Sequence, residues 1–148
     1  MAELRSARAH DFAAIQGVVD DWWGRPVSGS LPRLFLDHFF GTSLIVKDGQ
    51  GLAAFLIGFQ SPSQPAIAYI HFVGVRPDLR GSGLARRLYD TFAQRAAASG
   101  SSELHAITSP ANGDSIRFHQ RLGFTTSEPI QNYNGFGRPM VVFTRSLP

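Results

Sequence analysis

The stretch AIAYIHFVGVRPDLRGSGLARRL, residues 66–88, decides the fold. Its first ten residues, 66–75, are almost entirely apolar and predict a buried strand. Pro77 ends that strand, and the Gly-Ser-Gly turn at 81–83 opens an amphipathic helix predicted over residues 82–98. Glycines at a helix start leave backbone N–H groups unshielded where the helix dipole is positive. The stretch therefore predicts a strand, a phosphate-binding turn and a helix.

Two other phosphate-binding loops do not fit this turn. A dinucleotide-binding loop would need a third glycine where Arg86 stands, and it would follow its strand directly. A Walker loop would need Gly-Lys-Ser or Gly-Lys-Thr, which is missing from the stretch. Taken alone, the turn also fits a helix that merely begins with glycine.

The composition is that of a soluble globular protein of one domain. The 148 residues are 43% hydrophobic and 17% charged, and no apolar run approaches the about 20 residues that cross a bilayer. There is no cysteine, which excludes disulfides, thiolate nucleophiles and thiolate metal ligands. The N-terminus lacks the apolar core of a secretory signal, so we expect a cytoplasmic protein. The net charge of +3 suits phosphate ligands, but the arginines are scattered, which argues against nucleic acid.

The remaining pattern predicts an α/β protein with one mixed sheet. Helices are expected at 12–23, capped by His10 or Asp11, from residue 31 onwards, and at 112–122, where Gly123 ends the helix. Strands are expected at 4–8, 43–47, 52–59, 103–107 and 140–145, with a hairpin turn at 48–51. Residues 66–75 and 103–107 flank a helix, which predicts a parallel crossover between them.

A second segment, NGDSIRFHQRLGF at 112–124, joins RGSGLA at 80–85 in a recognisable order. Together they resemble the two motifs of the GNAT N-acetyltransferase superfamily, and the resemblance extends from Leu4 to the C-terminus. It implies the GNAT acyl-CoA N-acyltransferase fold, a mixed central sheet flanked by helices with a bulged central strand. It also implies a single domain over residues 1–148.

The resemblance implies that acetyl-CoA is the co-substrate and that no metal is needed. Its pyrophosphate would be bound by the backbone of the turn and the start of the helix: Arg80, Gly81, Ser82, Gly83, Leu84, Ala85 and Arg86. The family's strand bulge would fall near Val73 and Gly74, and the backbones of Val73 and Val75 would pair with the pantetheine arm. Asn112 is either a cofactor contact or a helix N-cap.

Two histidines are the candidate catalytic groups. His71 lies on the central strand and is the candidate base, or the head of a water chain, since a neutral imidazole suits proton removal near neutral pH. A histidine packed under a helix is the alternative. His119 stands where the family commonly has a tyrosine as general acid. It is therefore a candidate acid, a contact to the cofactor sulfur, or a packed side chain.

The resemblance places the acceptor pocket around the first two helices and a late loop. Trp23, Tyr69 and Tyr133 are the candidate acceptor-binding residues, and Tyr69 shares a strand face with His71. Trp22, Phe35 and Phe39 are expected to be core instead.

The implied function is acetyl transfer to a primary amine of a small molecule, by direct attack in a ternary complex. The alternatives are an acyl-CoA sensor with this fold and a peptide or protein N-acetyltransferase. Neither nucleic acid nor membrane is expected as a partner, and homodimers are frequent in the family.

Overall fold

The computed structural model describes residues 2–148, which group into two compact units. The first unit contains the chain up to Phe59 together with Ile70–Arg95, and the second contains Gln60–Tyr69 and Ala96–Pro148. Among the described residues, no helix combines the length and the apolar character that a membrane span requires. That the whole chain is a single domain stays a prediction.

The order of elements within residues 2–148 is β-α-α-β-β-β-α-β-α-β-β. Their bounds are β1 Glu3–Ser6, α1 Phe12–Trp23, α2 Leu34–Phe39, β2 Leu44–Asp48, β3 Gly51–Gln60, β4 Ile67–Val75, α3 Leu84–Ala98, β5 Glu103–Thr108, α4 Gly113–Arg121, β6 Thr125–Thr126 and β7 Val141–Ser146. Short 3-10 turns occupy Ala9–Asp11, Ser28–Ser30 and Pro77–Leu79.

The strands form one mixed sheet in the order β1-β2-β3-β4-β5-β7-β6. In the first unit, β1 pairs with β2 and β2 with β3, both antiparallel. In the second unit, β4 pairs with β5 in parallel, and β7 lies antiparallel to both β5 and β6. The α/β class, the mixed sheet and the parallel crossover are thus confirmed.

Four predicted details are wrong. The second helix begins at Leu34 and not at residue 31, since Leu31 has φ of −129° and ψ of 71°, outside the helical region. The first strand ends at Ser6 and not at residue 8, because Arg8 is already the N-cap of the 3-10 turn Ala9–Asp11. Asp11 does not cap α1; its carboxylate binds Arg5 and the Arg8 N–H instead. The helix α3 begins at Leu84 and not at residue 82, since Gly81 and Gly83 have φ of +78° and +91°, outside the helical region.

The core of the first unit lies between α1, α2 and the sheet. Alternate residues of β3 and one stripe of each helix supply fully buried side chains: Ile15, Val19, Leu36, Phe55 and Ile57. Helical spacing on α1 and alternation on β3 turn these residues to a common side. The burial therefore follows from the apolar pattern of the sequence.

The predicted bulge of β4 is visible in its register with β3. The Ser61 N–H donates to the Ile67 carbonyl, and the Arg76 N–H donates to the Ala53 carbonyl, each at a distance of 2.8 Å. From the first bond to the second, β4 runs forward nine residues, from Ile67 to Arg76, and β3 runs back eight, from Ser61 to Ala53. In an antiparallel pair without a bulge, the two numbers would be equal. One extra residue therefore lies in β4, which is a β-bulge.

Gly74 has a packing reason as well as a place near the bulge. A Cβ built on it would lie 2.6 Å from Phe55 Cε1 and 3.0 Å from Trp23 Cζ3. Phe55 is fully buried and cannot swing into solvent. The glycine therefore lets the β4 backbone lie against both aromatic rings.

We expect Gly74→Ala to lower the free energy of unfolding by about 1–3 kcal/mol, the usual range for overpacking. Urea denaturation measures this change. Gly17→Ala is the matched control, since its Cβ would meet nothing within 4 Å on the exposed face of α1. It should leave stability unchanged or raise it by up to about 1 kcal/mol. Equal stability of the Gly74→Ala protein and the unmodified one would contradict the close approach.

Candidate active site

The predicted phosphate-binding turn lies directly before α3 in the first unit. Gly81 and Gly83 adopt left-handed φ, which few other residues tolerate. Two amides of the turn are already bonded: the Arg80 N–H donates to the Pro77 carbonyl, and the Ser82 N–H to the Leu79 carbonyl. The first N–H groups of α3, from Leu84 onwards, have no partner within their own helix. The candidate donors to a pyrophosphate are therefore the glycine amides and the first turn of α3.

Two arginines hold this turn in place. The Arg80 guanidinium donates to the carbonyl of Trp22, near the end of α1. Arg76, before the turn, pairs with Asp48 of the β2–β3 hairpin and, at 2.7 Å, with Asp78. The hydrogen bond from Arg76 lowers the pKa of Asp48 to about 2. Arg80 is thus an anchor of the turn, and its predicted contact with the cofactor stays a prediction.

The free edge of β4 is set by the bond from Arg76. Because the N–H of Arg76 points to β3, the N–H and carbonyl of Val75 point to the opposite edge. The parallel pairing of β4 with β5 covers Ile67–Tyr69, whereas β4 continues to Val75. Val75, and Val73 if the extra residue precedes it, therefore suit the pairing with an extended pantetheine arm.

His71 is half-buried on β4, and its ring is fixed by contacts on one edge and one face. Its Nε2 lies 2.6 Å from the Ser30 carbonyl, and its ring stacks on Phe35 with centroids 4.0 Å apart at 6°. A carbonyl can only accept, so Nε2 carries the proton and Nδ1 holds a lone pair in the neutral ring. Burial lowers the pKa of His71. At neutral pH the ring is therefore uncharged, with Nδ1 able to take up a proton.

The aromatic residues of α1 and α2 divide into core and candidate site. Trp22 is 7% exposed and stacks on Phe55, which confirms its predicted place in the core. Trp23 is half-buried, with its ring 4.7 Å from that of Phe72. Phe35, predicted as core, is partly buried: it packs against the core of the first unit, and its ring stacks on His71. Trp23 stays a candidate acceptor contact, and Phe35 joins it.

Asn112, in the second unit, is the N-cap of α4. Its Oδ1 accepts from the Ser115 N–H at 3.2 Å, and its Nδ2 donates to Thr108 Oγ1 at 3.2 Å. The N-cap interpretation is therefore confirmed. A cofactor contact by Asn112 stays a prediction, and it would have to share an amide that already serves the helix.

His119 lies near the end of α4 and is 7% exposed. Its Nδ1 is 2.8 Å from the Ser115 carbonyl one turn earlier, so Nδ1 carries the proton of the neutral ring. The ring stacks on Phe143 with centroids 4.0 Å apart at 5°, and burial lowers its pKa. The one proton of the neutral ring is thus bonded to the helix backbone. This arrangement favours the packing interpretation over the acid role.

We expect His119→Phe to keep turnover within about threefold at neutral pH, since phenylalanine preserves the stacking on Phe143. The same variant should lower stability by about 1 kcal/mol through loss of the bond to Ser115. Thiol release and thermal unfolding measure the two effects. His119→Tyr, which restores the family's phenol, is the comparison. A large loss of turnover in the Phe variant that the Tyr variant reverses would restore the acid role.

Tyr69 and Tyr133, both in the second unit, differ in exposure. Tyr133 is 47% exposed in the loop after Ile130, whereas Tyr69 is partly buried. Burial, and then the neighbouring Tyr133, raises the pKa of Tyr69 to about 12. Tyr69 therefore keeps its phenolic proton at neutral pH. Both residues stay candidate acceptor contacts.

No group of three or more histidine and carboxylate side chains suited to a metal occurs within residues 2–148.

Comparison with known proteins decides the family. A sequence profile of the Acetyltransferase (GNAT) family matches residues 12–124. The chain belongs to the GNAT acetyltransferase family. The resemblance inferred from the two motifs is thereby confirmed, and the matched region contains both of them.

A curated relative supports the same conclusion over most of the chain. The L-2,4-diaminobutyric acid acetyltransferase of Streptomyces coelicolor is 36% identical over 128 residues, which is 82% of this chain and 75% of the relative. The chain spans less of other curated relatives with the same name, 34% to 50% of their length.

Solved structures show the GNAT fold across the chain. A GNAT-family protein from Desulfovibrio desulfuricans superposes with a TM-score of 0.86 at 18% identity, covering 100% of both chains. The diaminobutyrate acetyltransferase of Paenibacillus lautus, solved with its substrate L-2,4-diaminobutyric acid and coenzyme A, has a TM-score of 0.72 at 19% identity. It covers 97% of this chain and 94% of its own.

Sequence reasoning missed the partners that fix both histidines. Ser30 is 41 residues from His71 along the chain, and its contribution is a backbone carbonyl, which carries no sequence signal. The partner of His119 could have been predicted from the sequence, since Ser115 lies four residues earlier on the same predicted helix.

Proposed function

We propose that this chain is an acetyl-CoA-dependent N-acetyltransferase that acetylates a primary amine of a small molecule. The single observation that supports it most is the turn at 81–83, whose left-handed glycines precede α3 in a chain of the GNAT family. Glycine amides and a helix N-terminus suit a pyrophosphate. The predicted pyrophosphate residues stay Arg80, Gly81, Ser82, Gly83, Leu84, Ala85 and Arg86, with Asn112 as a further cofactor contact.

The proposed reaction is direct attack by the amine nitrogen on the thioester carbon of acetyl-CoA. The N–C bond forms, the C–S bond breaks, and coenzyme A leaves as a thiolate. Before it attacks, the acceptor ammonium loses one proton to Nδ1 of His71, directly or through water. The second proton, which the nitrogen gives up after attack, passes to the coenzyme A thiolate, directly or through water. The Val75 N–H, on the edge of β4 opposite β3, is the candidate donor to the carbonyl oxygen as it gains negative charge.

The acceptor class we propose is a small diamino acid. Curated relatives named L-2,4-diaminobutyric acid acetyltransferase support this choice. Trp23, Tyr69 and Tyr133 are the proposed acceptor contacts, because aromatic faces attract an ammonium group. Cytoplasmic location, a homodimeric state and the lack of nucleic-acid and membrane partners stay predictions.

An acceptor panel tests the proposal. The purified chain is incubated with acetyl-CoA and either L-2,4-diaminobutyric acid, a simple alkylamine, or a short peptide with N-terminal alanine. We expect thiol release, and one added acetyl group by mass spectrometry, with the diamino acid and not with the peptide. Binding of acetyl-CoA by calorimetry with no release across the panel would favour the sensor interpretation. Absence of any binding would contradict the assignment of the turn.

A further inference from the structure

The structure assigns Asp20 as a positioning residue for His71, acting through the turn Val27–Ser30. The Asp20 carboxylate lies in the last turn of α1, and its Oδ1 accepts from the N–H groups of Val27 and Ser28, each at a distance of 2.8 Å. These bonds lower the pKa of Asp20, with that from Val27 contributing most. The carboxylate is therefore charged at neutral pH, and both bonds are charge-assisted.

The turn held by Asp20 ends at the carbonyl that His71 uses. The Ser30 N–H donates to the Val27 carbonyl at 2.9 Å, and the Leu31 N–H donates to the Ser28 carbonyl at 3.0 Å. Val27 and Leu31 are buried on either side of the turn. The segment between them is exposed or half-buried and includes Gly29, the most flexible residue type. Asp20 therefore supplies the polar restraint on the side where the turn begins.

Each step from Asp20 to His71 is a direct contact within the first unit. Asp20 binds two amides of the turn, the turn presents the Ser30 carbonyl, and that carbonyl accepts from Nε2 of His71 at 2.6 Å. Stacking on Phe35 is compatible with two ring orientations that differ by a half-turn about the Cβ–Cγ bond. The bond from Nε2 to the Ser30 carbonyl selects one of them, and with it the direction of the Nδ1 lone pair.

This inference rests on the proposed function in that His71 is the base there. Its own content is narrower: without the Asp20 carboxylate, the Ser30 carbonyl leaves its place and the Nε2–H bond of His71 opens. That content is measurable without acetyl-CoA, since a hydrogen-bonded ring proton exchanges slowly with water and gives its own NMR signal.

The experiment uses the full chain with ¹⁵N-labelled histidine, and His71→Gln assigns the His71 ring signal. We expect Asp20→Ala to raise the exchange rate of the Nε2 proton about tenfold, since two charge-assisted bonds are lost. The kcat should fall by a similar factor, with the KM for acetyl-CoA unchanged. Asp20→Asn keeps a neutral acceptor and should lie between Asp20→Ala and the unmodified protein.

Asp21→Ala is the matched control, because Asp21 is the exposed neighbour on the same helix and no hydrogen bond of its side chain is described within residues 2–148. It should leave ring-proton exchange and kcat unchanged. If Asp20→Ala does not fold, the same comparison is made with Asp20→Asn, for which about threefold faster exchange is expected. Unchanged exchange in the folded Asp20 variants overturns the inference. Absence of thiol release by the unmodified protein would instead overturn the proposed function and leave the ring-proton result to be judged separately.

Discussion

His71→Gln is expected to lower turnover about 100-fold near neutral pH, within the usual range for losing a general base. Glutamine can still donate its amide N–H to the Ser30 carbonyl, but it cannot take up the proton of the amine. The variant therefore removes the chemistry of the ring while keeping the contact that holds it. Thiol release with saturating acetyl-CoA and acceptor measures the loss.

The pH dependence separates a base from a packed histidine. Burial lowers the pKa of His71, so the ring is uncharged at neutral pH and becomes protonated only in acid, where the unmodified protein should lose turnover. In strongly basic solution the acceptor amine, whose pKa is about 10, loses its own proton and needs no base. The ratio of turnover between the unmodified protein and His71→Gln should thus be largest near neutral pH and shrink as the pH rises.

His38→Gln is the matched control, since His38 is exposed on α2 and outside the proposed machinery. It should keep both the rate and the pH profile of the unmodified protein. An unaltered pH profile in the His71→Gln variant would remove His71 from the proton transfer.

The fold was predictable where the signal is local. The apolar run before Pro77 and the glycines at 81 and 83 predict a strand, a turn and a helix from residue type alone. The bulge in β4 was predictable only through the family resemblance, because an extra residue in a strand changes no apolar pattern. The structure shows the bulge through two hydrogen bonds to β3, at Ile67 and at Arg76, whose spacing in β4 is one residue longer than in β3.

One error arose where a charged side chain outcompetes the helix N–H groups. Asp11 precedes α1 and has the residue type of an N-cap, yet Arg5 of β1 binds both of its carboxylate oxygens at 2.9 Å. A charge-assisted bidentate pair is stronger than a bond to a helix N–H, so the carboxylate turns to the arginine. Arg5 lies only six residues before Asp11, but whether the two side chains meet depends on the path of the chain between β1 and α1, which residue types alone do not give.

The candidate site shows the same division. Asn112 was predictable as an N-cap because its partner, the Ser115 N–H, is three residues away. The state of His71 was not, since its ring nitrogen meets a backbone carbonyl from a distant turn. Residue types thus identified the candidate groups, and only the structure showed which nitrogen of each histidine carries the proton.

Gly83→Ala is expected to weaken acetyl-CoA binding at least about tenfold, with turnover at saturating coenzyme less affected. The φ of +91° at Gly83 would cost an alanine about 1–3 kcal/mol, so the turn would relax and its amides would move. A Cβ at this position meets nothing within 4 Å, so the cost is conformational and not a clash. Calorimetric titration with acetyl-CoA measures the affinity.

Gly100→Ala is the matched control at the other end of α3. Its φ is +97°, and a Cβ there also meets nothing within 4 Å, so the strain on the folded chain should be similar. Both variants should therefore lose similar stability in urea denaturation, whereas only Gly83→Ala should lose affinity for acetyl-CoA. Equal affinities for acetyl-CoA in the two variants would mean that moving the amides of the turn does not weaken binding. The turn before α3 would then be a helix start that binds no ligand.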